Sequence, residues 1–236
     1  MSSSASNLQP TGVPGEPAAS LKQRMVLLGP PASGKGTQAE RIQARYGLAV
    51  TSTGAMLRAE AQAGSELGRA AEAHTNRGEL VPDELILDLV AEWLEEHNGA
   101  FVFDGFPRTL GQGIALEQLL AERGTPLDVV FFFQTSEEVI HDRVLNRLTC
   151  HSCGHVFRMG LQVPNEDAAC LHCGGKLGRR SDDNEAVLKD RLAQYHEKTE
   201  PLVSFYRERG ILMELSANES PDAVFSQIVN VLEGLA

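Results

Sequence analysis

Four short apolar runs, at residues 24–28, 100–103, 129–133 and 211–215, stand out from an otherwise mixed chain. Each is too short for anything but a strand, and none alternates with polar residues, so each is expected to be buried on both faces. Helical patterns lie between them, at 33–46, 83–97, 112–123, 136–148 and 184–209, with Pro82 favourable at the entry to the second. Strands that alternate with helices imply a parallel sheet with right-handed crossovers, an α/β fold. Two stretches break the alternation: residues 52–81, polar and helical, and the cysteine segment 150–173. Both read as insertions at the carboxyl ends of strands, where open α/β sheets place their ligands. The first twenty residues are rich in Ser, Ala, Pro and Gly, and so poor in large apolar groups that a disordered extension is expected over 1–20.

Composition narrows the partners. At 236 residues and 42% hydrophobic, the chain suits one α/β domain with insertions or two small domains. A formal net charge of -11 argues against a surface that coats nucleic acid or anionic membrane, so any phosphate site must be local. No run approaches the ~20 apolar residues of a membrane span, and the N-terminus lacks the basic and apolar blocks of a signal peptide. A cytoplasmic protein is expected, with no nucleic acid or membrane partner.

The segment Gly29-Pro30-Pro31-Ala32-Ser33-Gly34-Lys35-Gly36-Thr37 follows one predicted strand and precedes a helix, the context that makes G-x-x-x-x-G-K a phosphate loop. Its glycines let backbone N–H groups turn toward phosphate oxygens, the helix N-terminus adds positive potential, and Lys35 reaches the outer phosphates. A nucleoside triphosphate is therefore the expected ligand. Gly36 occupies the place where many such loops carry a magnesium-binding hydroxyl, and Thr37 comes one residue later.

Other residues carry chemistry at defined spacings. Cys150-x-x-Cys153 and Cys170-x-x-Cys173 use all four cysteines of the chain, and paired knuckles of this kind point to tetrahedral thiolate zinc, with no open position for a reacting water. His151, His155 and His172 are surplus to that shell. Asp104 ends an apolar strand and is a hard carboxylate suited to Mg²⁺ held through its water shell. Arg58 offers a bidentate fork for phosphate oxygens.

The stretches Gly34 to Gln38, Ser52 to Arg58, Gly78 to Glu84 and Ala100 to Gln112, taken in order with the cysteine knuckles, resemble the nucleoside monophosphate kinases, and the adenylate kinase family with a long zinc-binding lid in particular. The resemblance runs from about Met25 to the C-terminus. It implies a P-loop doubly wound parallel five-stranded sheet in a core over 21–236, with an inserted helical monophosphate-binding subdomain at 52–81 and a small zinc-binding lid at 146–183. It implies a monomer that converts ATP and AMP to two ADP with Mg²⁺. On the donor side it places Ala32, Ser33, Gly34, Lys35, Gly36 and Thr37 at the phosphates, Arg143 on the base with Val156, Phe157 and the backbone of Ser220 nearby, and Arg147 over the phosphates. On the acceptor side it places Thr53, Arg58, Glu79, Leu80, Val81, Gly105, Phe106, Pro107, Arg108, Gln112, Arg180 and Arg191. Lys35, Arg108, Arg147, Arg180 and Arg191 would stabilise the anionic transition state, with no general base required. The chain departs from the family pattern at Ala32 (commonly Gly), Ala55 (an acid), Gly113 (Ala), Arg158 (His) and Ala217-Asn218 (D-G). Rival readings are a kinase for GTP, UMP or CMP, a zinc-ribbon nucleic-acid module, and a P-loop switch that only hydrolyses.

Overall fold

The computed structural model describes residues 23–75, 81–97, 99–180 and 183–235, apart from the side chains of Arg58 and residues 71–75. Along the chain the elements are β1 (Arg24–Leu28), α1 (Lys35–Tyr46), β2 (Ala49–Thr51), α2 (Thr53–Ala63), α3 (Glu66–Thr75), α4 (Asp83–Glu96), β3 (Phe101–Asp104), α5 (Leu110–Glu122) and β4 (Val129–Gln134). There follow α6 (Glu137–Leu145), β5 (Arg147–Cys150), β6 (Val156–Arg158), β7 (Leu177–Gly178), α7 (Glu185–Gln194), a π-helical turn (Tyr195–Thr199), α8 (Pro201–Glu208), β8 (Leu212–Ser216) and α9 (Pro221–Leu235).

Five strands form one parallel sheet in the order β2-β3-β1-β4-β8. The expected strands are all present, and β2 completes the set. Its three residues, Ala49–Thr51, are too few and too weakly apolar to stand out in the sequence, and they pair with β3 only once the sheet exists. Period-two alternation along β1 serves both faces. Val26 and Leu28 join a core with Phe101, Phe103, Leu116, Leu202 and Tyr206, under α4, α5 and α8. Met25 and Leu27 join the opposite core with Val102, Phe131, Ile42, Val224 and Ile228, under α1 and α9. The two layers make β1 the most enclosed strand, and its carboxyl end therefore delivers the phosphate loop on a rigid base.

Two expectations are corrected. The helix anticipated over 136–148 stops at Leu145, and residues 147–150 turn into β5, because Leu148 and Cys150 are needed in a separate small core with Phe157, Val163 and Leu177. The helix anticipated over 184–209 is interrupted by the π-helical turn at Tyr195–Thr199, and Pro201 restarts it at a position that needs no N–H partner. The cysteine segment also has strands of its own, in a three-stranded antiparallel sheet of order β6-β5-β7. Gly113, by contrast, gains a reason. A methyl group added there would stand 2.6 Å from Leu202 Cδ2, so glycine lets α5 lie close against α8.

Candidate functional site

The loop between β1 and α1 closes on its own lysine. Lys35 Nζ donates to the carbonyl oxygens of Gly29 at 2.8 Å and Pro30 at 2.7 Å, with Ser33 Oγ at 3.3 Å. Gly29, at φ 152°, has no room for a side chain: a methyl there would meet the Cβ and carbonyl oxygen of Phe133 at 3.0 Å. Ala32 adopts the left-handed region at φ 58°, the conformation that the family's usual glycine enters without strain. Its methyl packs against Ile140, Val144, Leu188 and Leu192, which ties the loop to α6 and α7 and offsets part of that strain. Gly36 also has a local reason. A methyl at this position would lie 3.3 Å from Asp104 Oδ2, so the missing side chain lets the carboxylate approach the loop.

That approach follows from the sheet register. Asp104 pairs with Leu27 across β3 and β1, and the N–H of Gly105 donates to Leu27 O at 3.2 Å. Lys35, Asp104 and Arg108 meet around Gly105, where an added methyl would stand 3.9 Å from Lys35 Cε and 4.0 Å from Arg108 Nη2. Loss of hydration pushes Lys35 down to about 8, and Arg108 adds to the effect against the opposing pull of Asp104. Burial raises the Asp104 pKa in spite of both cations. Arg108 is open to water on one side yet walled by protein, and desolvation, then repulsion from Arg191, lowers its pKa. Two cations thus flank one carboxylate, and a third, Arg191, bears on Arg108.

The residues expected on the acceptor side are held by a dense polar network. Arg108 Nε donates to Gly105 O at 2.9 Å, Arg108 N–H donates to Gln112 Oε1 at 2.7 Å, and Thr199 Oγ1 donates to Arg108 O at 2.8 Å. Phe106 and Pro107 are buried, and Gly105 lies between them and the phosphate loop. Ser52 caps α2 by accepting from Ala55 N–H at 3.2 Å, while Thr53 beside it is buried. Val81 packs against the sheet core ahead of α4. Glu79 and Leu80 lie outside the described residues, as does the side chain of Arg58.

The other arginines expected at the site lie near the junction of the main sheet's elements with the cysteine segment. Arg143 Nη1 donates to Ser33 O at 3.0 Å and its Nη2 to Ala217 O at 2.6 Å, so one guanidinium bridges the phosphate loop and the turn before α9. Desolvation, then repulsion from Arg158, lowers its pKa. Arg147, on β5 rather than on a helix, makes a bidentate pair with buried Asp183. Arg180 Nε donates to Thr149 Oγ1 at 3.0 Å, and Arg191 projects from α7. Phe157 is buried in the small core and Val156 is half-buried, so neither side chain of this expected donor-base pair is freely exposed. Ser220 Oγ accepts from Ala223 N–H at 3.3 Å at the start of α9.

The sulfur atoms of Cys150, Cys153, Cys170 and Cys173 all lie within 4.8 Å of one another. The separations of 3.5 Å (Cys150 to Cys173) and 3.7 Å (Cys153 to Cys170) are close to the ~3.8 Å edge of a tetrahedron of zinc–sulfur bonds. They are far beyond the ~2.05 Å of a disulfide. The sequence did not single out Asp83, Thr109, Asp183 or Thr199, the groups that orient Gln112, Arg147 and Arg108. Asp83 was visible at the first position after Pro82, but its partners lie across the fold.

The left-handed backbone at Ala32 carries a stability prediction. Glycine relieves the strain but removes a packed methyl, so Ala32→Gly should stay within about 1 kcal/mol of the parent. Ala32→Val, branched where φ is positive, should lose about 1–3 kcal/mol. Denaturant melts of the three proteins provide the comparison, and a valine variant as stable as the parent contradicts the conformation.

Comparison with known proteins agrees with this arrangement. A family profile described as adenylate kinase matches residues 27–211. The adenylate kinase of Archaeoglobus fulgidus is 40% identical over 211 residues, covering 89% of this chain and 97% of that protein. Those of Thermodesulfovibrio yellowstonii and Methanosarcina barkeri are each 40% identical, over 89% and 90% of this chain and 99% of their own lengths. With its phosphate loop, the acid–arginine pair beside it and the four-cysteine insertion in family order, the chain belongs to the adenylate kinase family.

Proposed function

We propose that this protein catalyses the reversible transfer of the terminal phosphoryl group of ATP to AMP, giving two ADP, and thereby balances adenine nucleotide pools. The observation that carries this reading is the meeting of Lys35, Asp104 and Arg108 at the adjoining ends of β1 and β3, in a chain matched to adenylate kinases over nearly its whole length. The described residues contain no helix long and apolar enough to cross a membrane, and we take the protein to act as a cytoplasmic monomer with ATP, AMP and ADP as its ligands.

Each group has a physical task in this scheme. The loop from Ala32 to Thr37 cradles the donor phosphates with backbone N–H groups, and Lys35 exchanges its carbonyl partners for phosphate oxygens. Arg108 and Arg58 grip the acceptor phosphate, with Thr53, Gly105 and the backbone of residues 79–81 and 106–107 around the acceptor, while Gln112 reads its base. Arg143 faces the donor base with Val156, Phe157 and Ser220. Arg147, Arg180 and Arg191 bring further charge when the lid of residues 146–183 closes against the subdomain of residues 52–81. A largely dissociative phosphoryl transfer asks little covalent chemistry of the protein, so alignment and charge stabilisation carry most of the rate. Closure also keeps water from competing with AMP.

The donor set fits two metal roles. Asp104 is a hard carboxylate beside the side-chain-free Gly36, suited to orient the water shell of Mg²⁺. Bound with ATP, Mg²⁺ would neutralise charge building on the phosphates. The four thiolates match structural zinc, which would hold the lid strands in place of a large core.

Initial rates across a nucleotide panel should be highest with ATP as donor and AMP as acceptor, and Arg108→Ala should lower the AMP rate by about 10²–10³-fold with the fold intact. No turnover of AMP by the parent contradicts the proposal. Protein purified under reducing conditions should carry about one zinc per chain, and chelation should lower its melting temperature, because metal binding contributes to folding. Metal-free protein with an unchanged melting temperature contradicts the zinc assignment.

A further inference from the structure

Gln112 stands between two groups whose hydrogen-bonding roles cannot be exchanged. Its Nε2 donates to Asp83 Oδ1 at 2.6 Å, and its Oε1 accepts from the backbone N–H of Arg108 at 2.7 Å. An ionised carboxylate only accepts and a backbone N–H only donates. Turning the amide over would set oxygen against oxygen and N–H against N–H, so the partners themselves fix which way it points.

The carboxylate is fixed in turn. Thr109 Oγ1 donates to Asp83 Oδ2 at 2.7 Å, and the same hydroxyl oxygen accepts from Gln112 N–H at 3.1 Å as the cap of α5. Asp83 also lies in the first turn of α4, where the helix favours a negative charge. Gln112 is only 5% exposed, so an unmatched orientation would not be rescued by bulk water.

After these bonds Gln112 keeps one hydrogen on Nε2 and one lone pair on Oε1. We propose that Asp83 is a positioning residue that sets the choice of acceptor base by holding the Gln112 amide in a single orientation. In that orientation Oε1 accepts from the 6-amino group of a purine and Nε2 donates to its N1. A 6-oxopurine presents the reverse order, an acceptor at position 6 and a donor at N1, and meets two mismatches. The proposal rests on the reading of Gln112 as the residue facing the acceptor base.

The test compares AMP with IMP as acceptor, at saturating ATP, in the full-length protein. Asp83→Asn replaces an acceptor-only group with one that donates or accepts, which removes one of the two constraints on the amide and leaves the Arg108 N–H alone to oppose its turning. The AMP-to-IMP ratio of kcat/KM should fall about tenfold, mainly through a higher KM for AMP, with KM for ATP unchanged. In a Gln112→Ala background the same substitution should leave the ratio where Gln112→Ala has already put it. Asp83→Ser, whose hydroxyl is also two-sided, carries the same expectations should Asp83→Asn fold poorly. A ratio that stays within about twofold of the parent, or an equal loss for both acceptors, overturns the proposal by reducing Asp83 to a structural role. A parent protein that phosphorylates AMP separates that failure from a failure of the kinase reading, and one that does not phosphorylate AMP brings down both.

Discussion

Like charges repel most strongly where water is least able to screen them, and this fold gathers Lys35 and Arg108 around the carboxylate of Asp104, with Arg191 close enough to repel Arg108. The conflict is met by backbone: carbonyls of Gly29 and Pro30 accept from Lys35, and the carbonyl of Gly105 accepts from Arg108. Phosphate oxygens can replace those carbonyls with full negative charge. Much of the surrounding architecture serves to hold the cations while they wait. The two-layered burial of β1 fixes the loop, the register of β3 fixes Asp104, and α5 with the π-helical turn fixes Arg108.

The same arrangement reconciles an acidic chain with polyanionic substrates. The net charge of -11 is spread over the molecule, whereas the positive charge is concentrated at one end of the sheet. Outside that end, arginines are ion-paired: Arg24 with Asp128, Arg179 with Glu166, Arg207 with Glu214 and Arg209 with Glu117. Arg147 is the instructive intermediate, held by buried Asp183 at the edge of the cysteine segment. Such a pair keeps a cation at the edge of the fold's cysteine segment without leaving it buried and unpaired.

Features whose physics is local along the chain were legible in the sequence. The phosphate loop needs neighbouring glycines and a helix start, the cysteine knuckles need two close pairs, and the main strands are continuous apolar runs. What was not legible depends on partners brought from a distance. β2 is a strand because β3 lies beside it, Arg147 leaves the helix because Leu148 and Cys150 have a core to enter, and the role of Asp83 depends on residues more than twenty positions away. Ala32 lies between these cases: the sequence marked it as a departure, and the backbone at φ 58° gives that departure its structural meaning.

The ends of β1 and β3 confine excess positive charge of a kind that phosphate relieves. Titration of Lys35 by NMR, with the side-chain Cε and Nζ resonances assigned, measures this directly. Desolvation and Arg108 hold the folded-state value near about 8, below the ordinary lysine value, so the stability cost of charged Lys35 is full below that pH and disappears as pH rises toward the ordinary value. With a nucleoside triphosphate bound, the added negative charge favours the ammonium and the midpoint should rise well above its empty-site position. A midpoint near the ordinary lysine value in the empty protein, or one that does not move when the triphosphate binds, would contradict the account.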